Sequence, residues 1–224
     1  MTLTEILVVI VVIASLAAIV AYSMGSMKLS AAKAQSANNL RQLAAGIVSY
    51  AGDNQGNLPP STVNYLMFSN FSSTGQAQGW AAVMEYLGGE RPAQQSDLQR
   101  NRLPALYVNI KTSKQYTDPN PAVSDYTLWT NARILNGGAL DYLVPKRLSD
   151  LSGSPNALPL ATDNACSVGI TFKNPKNGAV VGMNAAFADG SVRWYRGNDA
   201  GNGSEVSFVT AGYAGIRYAI PKLR

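Results

Sequence analysis

Glu5 is the residue whose chemistry most constrains this chain. It sits in Met-Thr-Leu-Thr-Glu-Ile-Leu, at the mouth of an apolar run. From Ile6 to Ala21 the single hydroxyl is Ser15 and no side chain is charged. A stretch of that length suits a helix that spans a membrane or lies deep in a core, because a ~30 Å hydrocarbon layer takes ~20 residues. A carboxylate there costs roughly 2.5 kcal/mol or more at a helix centre and calls for a partner. The nearest cation is the α-amino group of Met1, with a pKa of about 8 if that residue is a free N-terminus. It lies one helical turn from Glu5 of its own chain, or it meets Glu5 of a neighbouring copy. The second arrangement turns an anchor into a self-assembly device.

Little else in the chain offers reaction chemistry. There is no His, which removes the usual general base and the commonest metal ligand. The single cysteine, Cys166, allows no intrachain disulfide and reads as a small buried side chain, with nothing cationic flanking it. Asp118, Asp125, Asp163 and Asp189 supply oxygens for a cation, but no loop has the D-x-[DN]-x-[DN]-G spacing of a calcium site. No nucleophile or metal constellation points to an enzyme, and no cofactor or metal is expected. The 18 Lys and Arg against 13 Asp and Glu give +5, spread without a dense run. That charge fits a solvated surface; nucleic acid as a partner has no groove-reading motif to support it. Two sequons, at Asn70 and Asn202, are weak hints of glycosylation.

Thr2, Leu3, Thr4, Glu5, Ile6 and Leu7 fit the pattern Thr-Leu-x-Glu-x-Leu. That start resembles the N-terminus of type IV pilins and of the pseudopilins of type II secretion, with Met1 where the family mostly has Phe. The resemblance implies a leader removed by a prepilin peptidase, a methylated Met1 amine and apolar helices bundled into a filament core. Met1, Thr2, Leu3 and Glu5 would then be the assembly residues. No Lys- or Arg-bearing leader ending in Gly precedes Met1, so the chain is expected to start at the processed end. Other readings of the apolar run stay open. A signal peptide needs a positive n-region, and no Lys or Arg comes before Lys28. A plain single-span anchor leaves Glu5 without a reason, and a buried core helix is an unusual use of so long a run.

The elements that must position these residues follow from periodicity. The helix is expected to continue to about Asp53, with Leu40, Leu43, Ile47 and Tyr50 forming one apolar stripe and Arg41, Gln42 and Ser49 on other faces. Gly52, Asn54, Gly56, Asn57 and Pro59-Pro60 end it. Between Ala14 and Met24 the helix either continues or loosens, and the residues there favour neither outcome. The division expected is 1–53 for the helix, with 1–24 as its membrane or filament-core segment, and 54–224 for a globular β-rich head. Trp80 to Leu87 reads as a short helix capped by Gly88-Gly89, and Ala105–Lys111, Tyr126–Leu135 and Leu158–Thr162 read as strands. Asp141–Leu151 is ambiguous, and Ser207–Ile220 is expected to give a last strand or two. The strongest signal is a hairpin of Val180–Ala188 and Ser191–Tyr195 joined at Asp189-Gly190, since Asp-Gly suits a turn needing positive φ angles.

A second resemblance lies in that hairpin. Asn184, Phe187, Asp189, Gly190, Val192 and Trp194 are similar to the Asn-x-x-Phe-x-Asp-Gly-x-Val-x-Trp tail of the pilin-like group named for His-x9-Asp-Gly. Asn38-Asn39-Leu40-Arg41-Gln42-Leu43 resembles its helix segment. Trp80 with Tyr86-Leu87, and Pro159-Leu160 before Asp163, follow in the same order. The group's histidine falls at Ala179 and its Cys-Pro pair is absent, so any role of that histidine does not carry over. Asp189 and Gly190 are expected to be structural turn residues.

These features imply an α+β fold, a long N-terminal helix packed on a C-terminal antiparallel sheet with long loops. The function implied is that of a structural subunit of an extracellular type IV pilus-like filament. It would wait in the bacterial inner membrane and then join a homopolymer. Its partners would be the lipid bilayer, the inner-membrane pilus assembly machinery, the prepilin peptidase and copies of itself. The alternatives are a type II secretion pseudopilin and a monomeric membrane-tethered binding protein.

Overall fold

From Leu3 to Asp53 the chain of the computed structural model is one α-helix, α1, of 51 residues. The structure describes residues 2–60, 69–71, 76–90, 92–93, 126–128, 130, 133–136, 139–143, 146–151, 159–163, 172, 182–198 and 206–207. The helix runs through Ala14–Met24 without a break. Its end is built from Gln55 (φ 57°) and Gly56 (φ 79°), both left-handed. The Gly56 N–H donates to the Ala51 carbonyl at 2.7 Å, and the Asn54 N–H donates to Tyr50 at 3.0 Å. These bonds use carbonyls that a helix end otherwise leaves unsatisfied.

Two compact units divide within α1, Met1–Gln35 and Ser36–Arg224. In the first, every residue from Thr2 to Val20 is exposed. In the second, the helix carries a buried stripe of Leu40, Leu43, Ala44, Ile47 and Ala51, while Arg41, Gln42 and Ser49 stay exposed. Tyr50, expected on that stripe, is half-buried.

Short elements surround the stripe in the second unit. Strands β1 (Ser69–Phe71) and β2 (Ala77–Gly79) pair antiparallel. A single helical turn α2 (Trp80–Val83) follows and tightens to a 3-10 turn over Met84–Leu87, which Gly88 closes in the left-handed conformation (φ 77°). The helix read over Trp80–Leu87 is therefore present in two parts. Trp80, with no exposed surface, donates its indole N–H to the Tyr126 carbonyl at 2.9 Å.

The main sheet has the order β3 (Tyr126–Leu128), β6 (Ala161–Asp163), β7 (Gly182–Ala186), β8 (Val192–Asn198) and β9 (Val206–Ser207). All neighbours are antiparallel except β8 and β9, which are parallel. A separate two-stranded pair joins β4 (Arg133–Asn136) to β5 (Ala139–Leu143). The single strand read over Tyr126–Leu135 is thus two strands in different sheets. The ambiguous Asp141–Leu151 is the end of β5 followed by a 3-10 turn over Leu148–Leu151. Ala105–Lys111 and most of Ser207–Ile220 lie outside the described residues. Strand β7 is buried along its whole length, which its small Gly and Ala residues permit. At Gly182 a Cβ would come within 2.3 Å of the Tyr195 carbonyl oxygen and 2.5 Å of the Trp194 ring, so only glycine fits there. The layout is an α+β mix, as the sequence implies.

Candidate functional site

The N-terminal turn of α1 is organised around Glu5. The Thr2 backbone N–H donates to Glu5 Oε2 at 2.7 Å, and the Glu5 N–H faces Thr2 Oγ1 at 3.4 Å. Thr2 Oγ1 also lies 2.9 Å from Thr4 Oγ1. Thr2-Leu3-Thr4-Glu5 is therefore a capping box, in which a side chain at each end satisfies the backbone N–H at the other. The carboxylate also stands where the helix dipole favours negative charge. Sequence reasoning missed this role, although [Ser/Thr]-x-x-[Asp/Glu] before an apolar run is its signature. Met1, the expected cationic partner, lies outside the described residues.

Beyond that turn, Leu3–Val20 is 18 residues long, apolar enough to cross a membrane, and entirely exposed. Twelve large aliphatic side chains, from Leu3 to Val20, stand in the open. At roughly 0.3–0.6 kcal/mol each, they favour a lipid environment by about 4–7 kcal/mol. One carboxylate at the centre of a span opposes this by about 2.5–3.5 kcal/mol, and Glu5 is at the end, where the cost is smaller. The aliphatic surface wins. One N-terminal apolar helix of this kind is compatible with membrane association, as an anchor or as a signal sequence.

In the second unit, Asp189 and Gly190 form the turn between β7 and β8, but of a different kind from the one expected. The last strand pair is Ala186 with Val192, so the loop is longer than two residues. The Gly190 N–H donates to the Phe187 carbonyl at 3.1 Å, and the Phe187 N–H donates to the Ser191 carbonyl at 3.0 Å. Only Gly190 has positive φ (79°); Asp189 does not. This is a type I turn closed by a left-handed glycine, which needs one positive φ angle instead of two. The Asp189 carboxylate accepts the Ser191 N–H at 2.9 Å. The Ser191 hydroxyl and then its N–H hold the Asp189 carboxyl below the ordinary range, with Arg193 adding to them. The Arg193 guanidinium lies 5.0 Å from the Phe187 ring centre, tying the two arms together.

Among the described residues the buried aspartate is Asp163 at the end of β6, which has no exposed surface. Its Oδ1 accepts the Ser36 hydroxyl from α1, and its Oδ2 accepts the Asn184 N–H from β7 at 2.7 Å. A second buried tie joins Asn39 Nδ2 to the Tyr126 hydroxyl of β3 at 3.0 Å. Ser36 and Asn39 thus bind the helix to two strands of one sheet. Buried polar groups need such partners, and each bond to a carboxylate is stronger than a neutral one. Two of the four aspartates named as cation ligands, Asp163 and Asp189, are among the described residues, and no group of three or more carboxylates, Cys or His able to hold a metal ion occurs among those residues. Asp163 is buried and bonded, Asp189 is exposed in its turn, and Asp118 and Asp125 lie outside the described residues, as does Cys166. Ser36 was legible in principle, because the stripe 40, 43, 47 extended back by four residues lands on it.

No protein-family model, no curated protein and no solved structure matches this chain.

Proposed function

We propose that the chain is a structural subunit of an extracellular filament of the type IV pilin kind. The observation that carries this reading is the fully exposed aliphatic segment Leu3–Val20, opened by a single carboxylate, in a helix whose later turns carry the buried stripe. Moving that segment from lipid into a bundle of copies changes apolar burial little, since hydrocarbon and neighbouring helices are alike. Specificity then falls to close packing and to Glu5 meeting a Met1 amine of another copy. The bacterial inner membrane holds the subunit before assembly, and the prepilin peptidase and pilus machinery are its partners there.

The capping box favours a second reading, a single-span anchor for a tethered head, because it gives Glu5 a use inside one chain. Imaging of material sheared from cells, with mass spectrometry of the N-terminal peptide, separates the two. A helical fibre of this chain with a methylated Met1 supports the filament. Chain found only in the membrane fraction, as single copies, refutes it.

A further inference from the structure

The charges at the two ends of the exposed segment are spaced to fit a bilayer. Glu5 opens the segment, and Lys28, also exposed, is the first Lys or Arg after it. Ile6 to Met27 carries no charged side chain, and α1 runs through it unbroken. At ~1.5 Å per residue, the rise from Glu5 to Lys28 is roughly 35 Å. A tilt of about 20°, the average for spanning helices, leaves roughly 33 Å along the bilayer normal. The hydrocarbon core is ~30 Å thick and the whole bilayer ~40–45 Å. Both charges therefore reach headgroup layers, on opposite faces, in one placement of the helix. Sliding the helix by one turn, ~5.4 Å, draws one of them into hydrocarbon.

The two ends are provided for differently. The Glu5 carboxylate already accepts the Thr2 N–H at 2.7 Å. Lys28 carries its ammonium on a flexible stem, which lies along apolar surface while the head reaches the polar layer. Lys33, further along the helix, is half-buried, so Lys28 is the more accessible of the two. The acidic residues of α1 are Glu5 and Asp53, close to its opposite ends. A parallel copy in register thus has no carboxylate to offer Lys28, whereas a phospholipid surface offers phosphates. Near an anionic surface each lysine adds about fivefold in affinity.

We propose that Lys28 binds the phosphate of an anionic phospholipid at the membrane face opposite Glu5. This rests on the membrane insertion that the filament and anchor readings share, and not on assembly. The test places the full chain, with 15N-labelled lysine, in vesicles of phosphatidylcholine and phosphatidylglycerol in equal amounts. Solid-state NMR then reads the dephasing of lysine amine signals by lipid 31P. One amine signal should be dephased in the native chain, and that signal should be lost in Lys28→Gln. Mass spectrometry of lipid retained by the extracted protein gives a second reading. Phosphatidylglycerol should be enriched about fivefold over the bulk mixture, lost in Lys28→Gln and kept in Lys28→Arg. Inserted chain with no dephased amine, a dephased signal that survives Lys28→Gln, or equal retention of the two lipids overturns the proposal and leaves the membrane reading standing. Chain that stays out of the vesicles overturns both.

Discussion

The bond from Ser36 to Asp163 should act as a coupled unit, and a double-mutant cycle measures it. Ser36→Ala deletes a hydrogen bond to a carboxylate at a site with no exposed surface, a loss of about 1.5–3 kcal/mol. Asp163→Ala leaves two buried donors without their acceptor, the Ser36 hydroxyl and the Asn184 N–H. At about 1–3 kcal/mol each, that is roughly 2–6 kcal/mol, reduced because a buried carboxylate no longer has to be desolvated. In the double variant the Ser36 hydroxyl is not there to be orphaned. The pair should therefore cost less than the sum of the singles by about 1.5–3 kcal/mol. Denaturant unfolding of the full chain in micelles, followed by tryptophan fluorescence, reads these values, since Trp80 is fully buried in the same unit. Single-variant costs that add to within about 0.5 kcal/mol would refute the claim that Asp163 ties α1 to the sheet.

Two further predictions concern turns. A Cβ at Gly190 meets nothing within 4 Å, so Gly190→Ala should destabilise through backbone strain alone, by about 1–2 kcal/mol. Gly190→Asn should cost less, and equal costs in thermal unfolding would count against the left-handed turn. The Asp150 carboxylate accepts the backbone N–H groups of Arg147 and Lys146, which lower its pKa from 3.8. A depressed carboxylate lends stability that is present above its unfolded pKa and is lost as pH falls through the folded value. The contribution should thus be complete above pH 3.8 and fade below it. An NMR titration should place the Asp150 midpoint under that value, and a midpoint at or above it contradicts the assignment.

Much of the architecture was legible because it rests on periodicity. The stripe at Leu40, Leu43 and Ile47 announced the buried face of α1, and the apolar run announced its exposed start. The hairpin was visible in Asp189-Gly190, but its turn type was not. One left-handed residue or two is decided by strand register, and Ala186 pairing with Val192 lies outside any dipeptide signal. Tyr126–Leu135 looked like a single strand, because a chain leaving one sheet for another need not change its residue types. Asp163 was harder still. Its burial depends on Ser36, 127 positions away in sequence, and no local pattern couples them. Glu5 was recognised for its cost in lipid, while the capping box in the same four residues went unread.

The Glu5 charge either serves assembly between copies or only caps its own helix. Glu5→Gln separates the two uses, because glutamine still completes a capping box but carries no charge. The measurement is filament yield in the sheared fraction, normalised to the amount of chain in the membrane. The filament account predicts normal membrane insertion with yield reduced at least about tenfold, as expected when a charged partner in a dry interface is lost. Yield equal to the unaltered chain would contradict it and leave Glu5 as a helix cap.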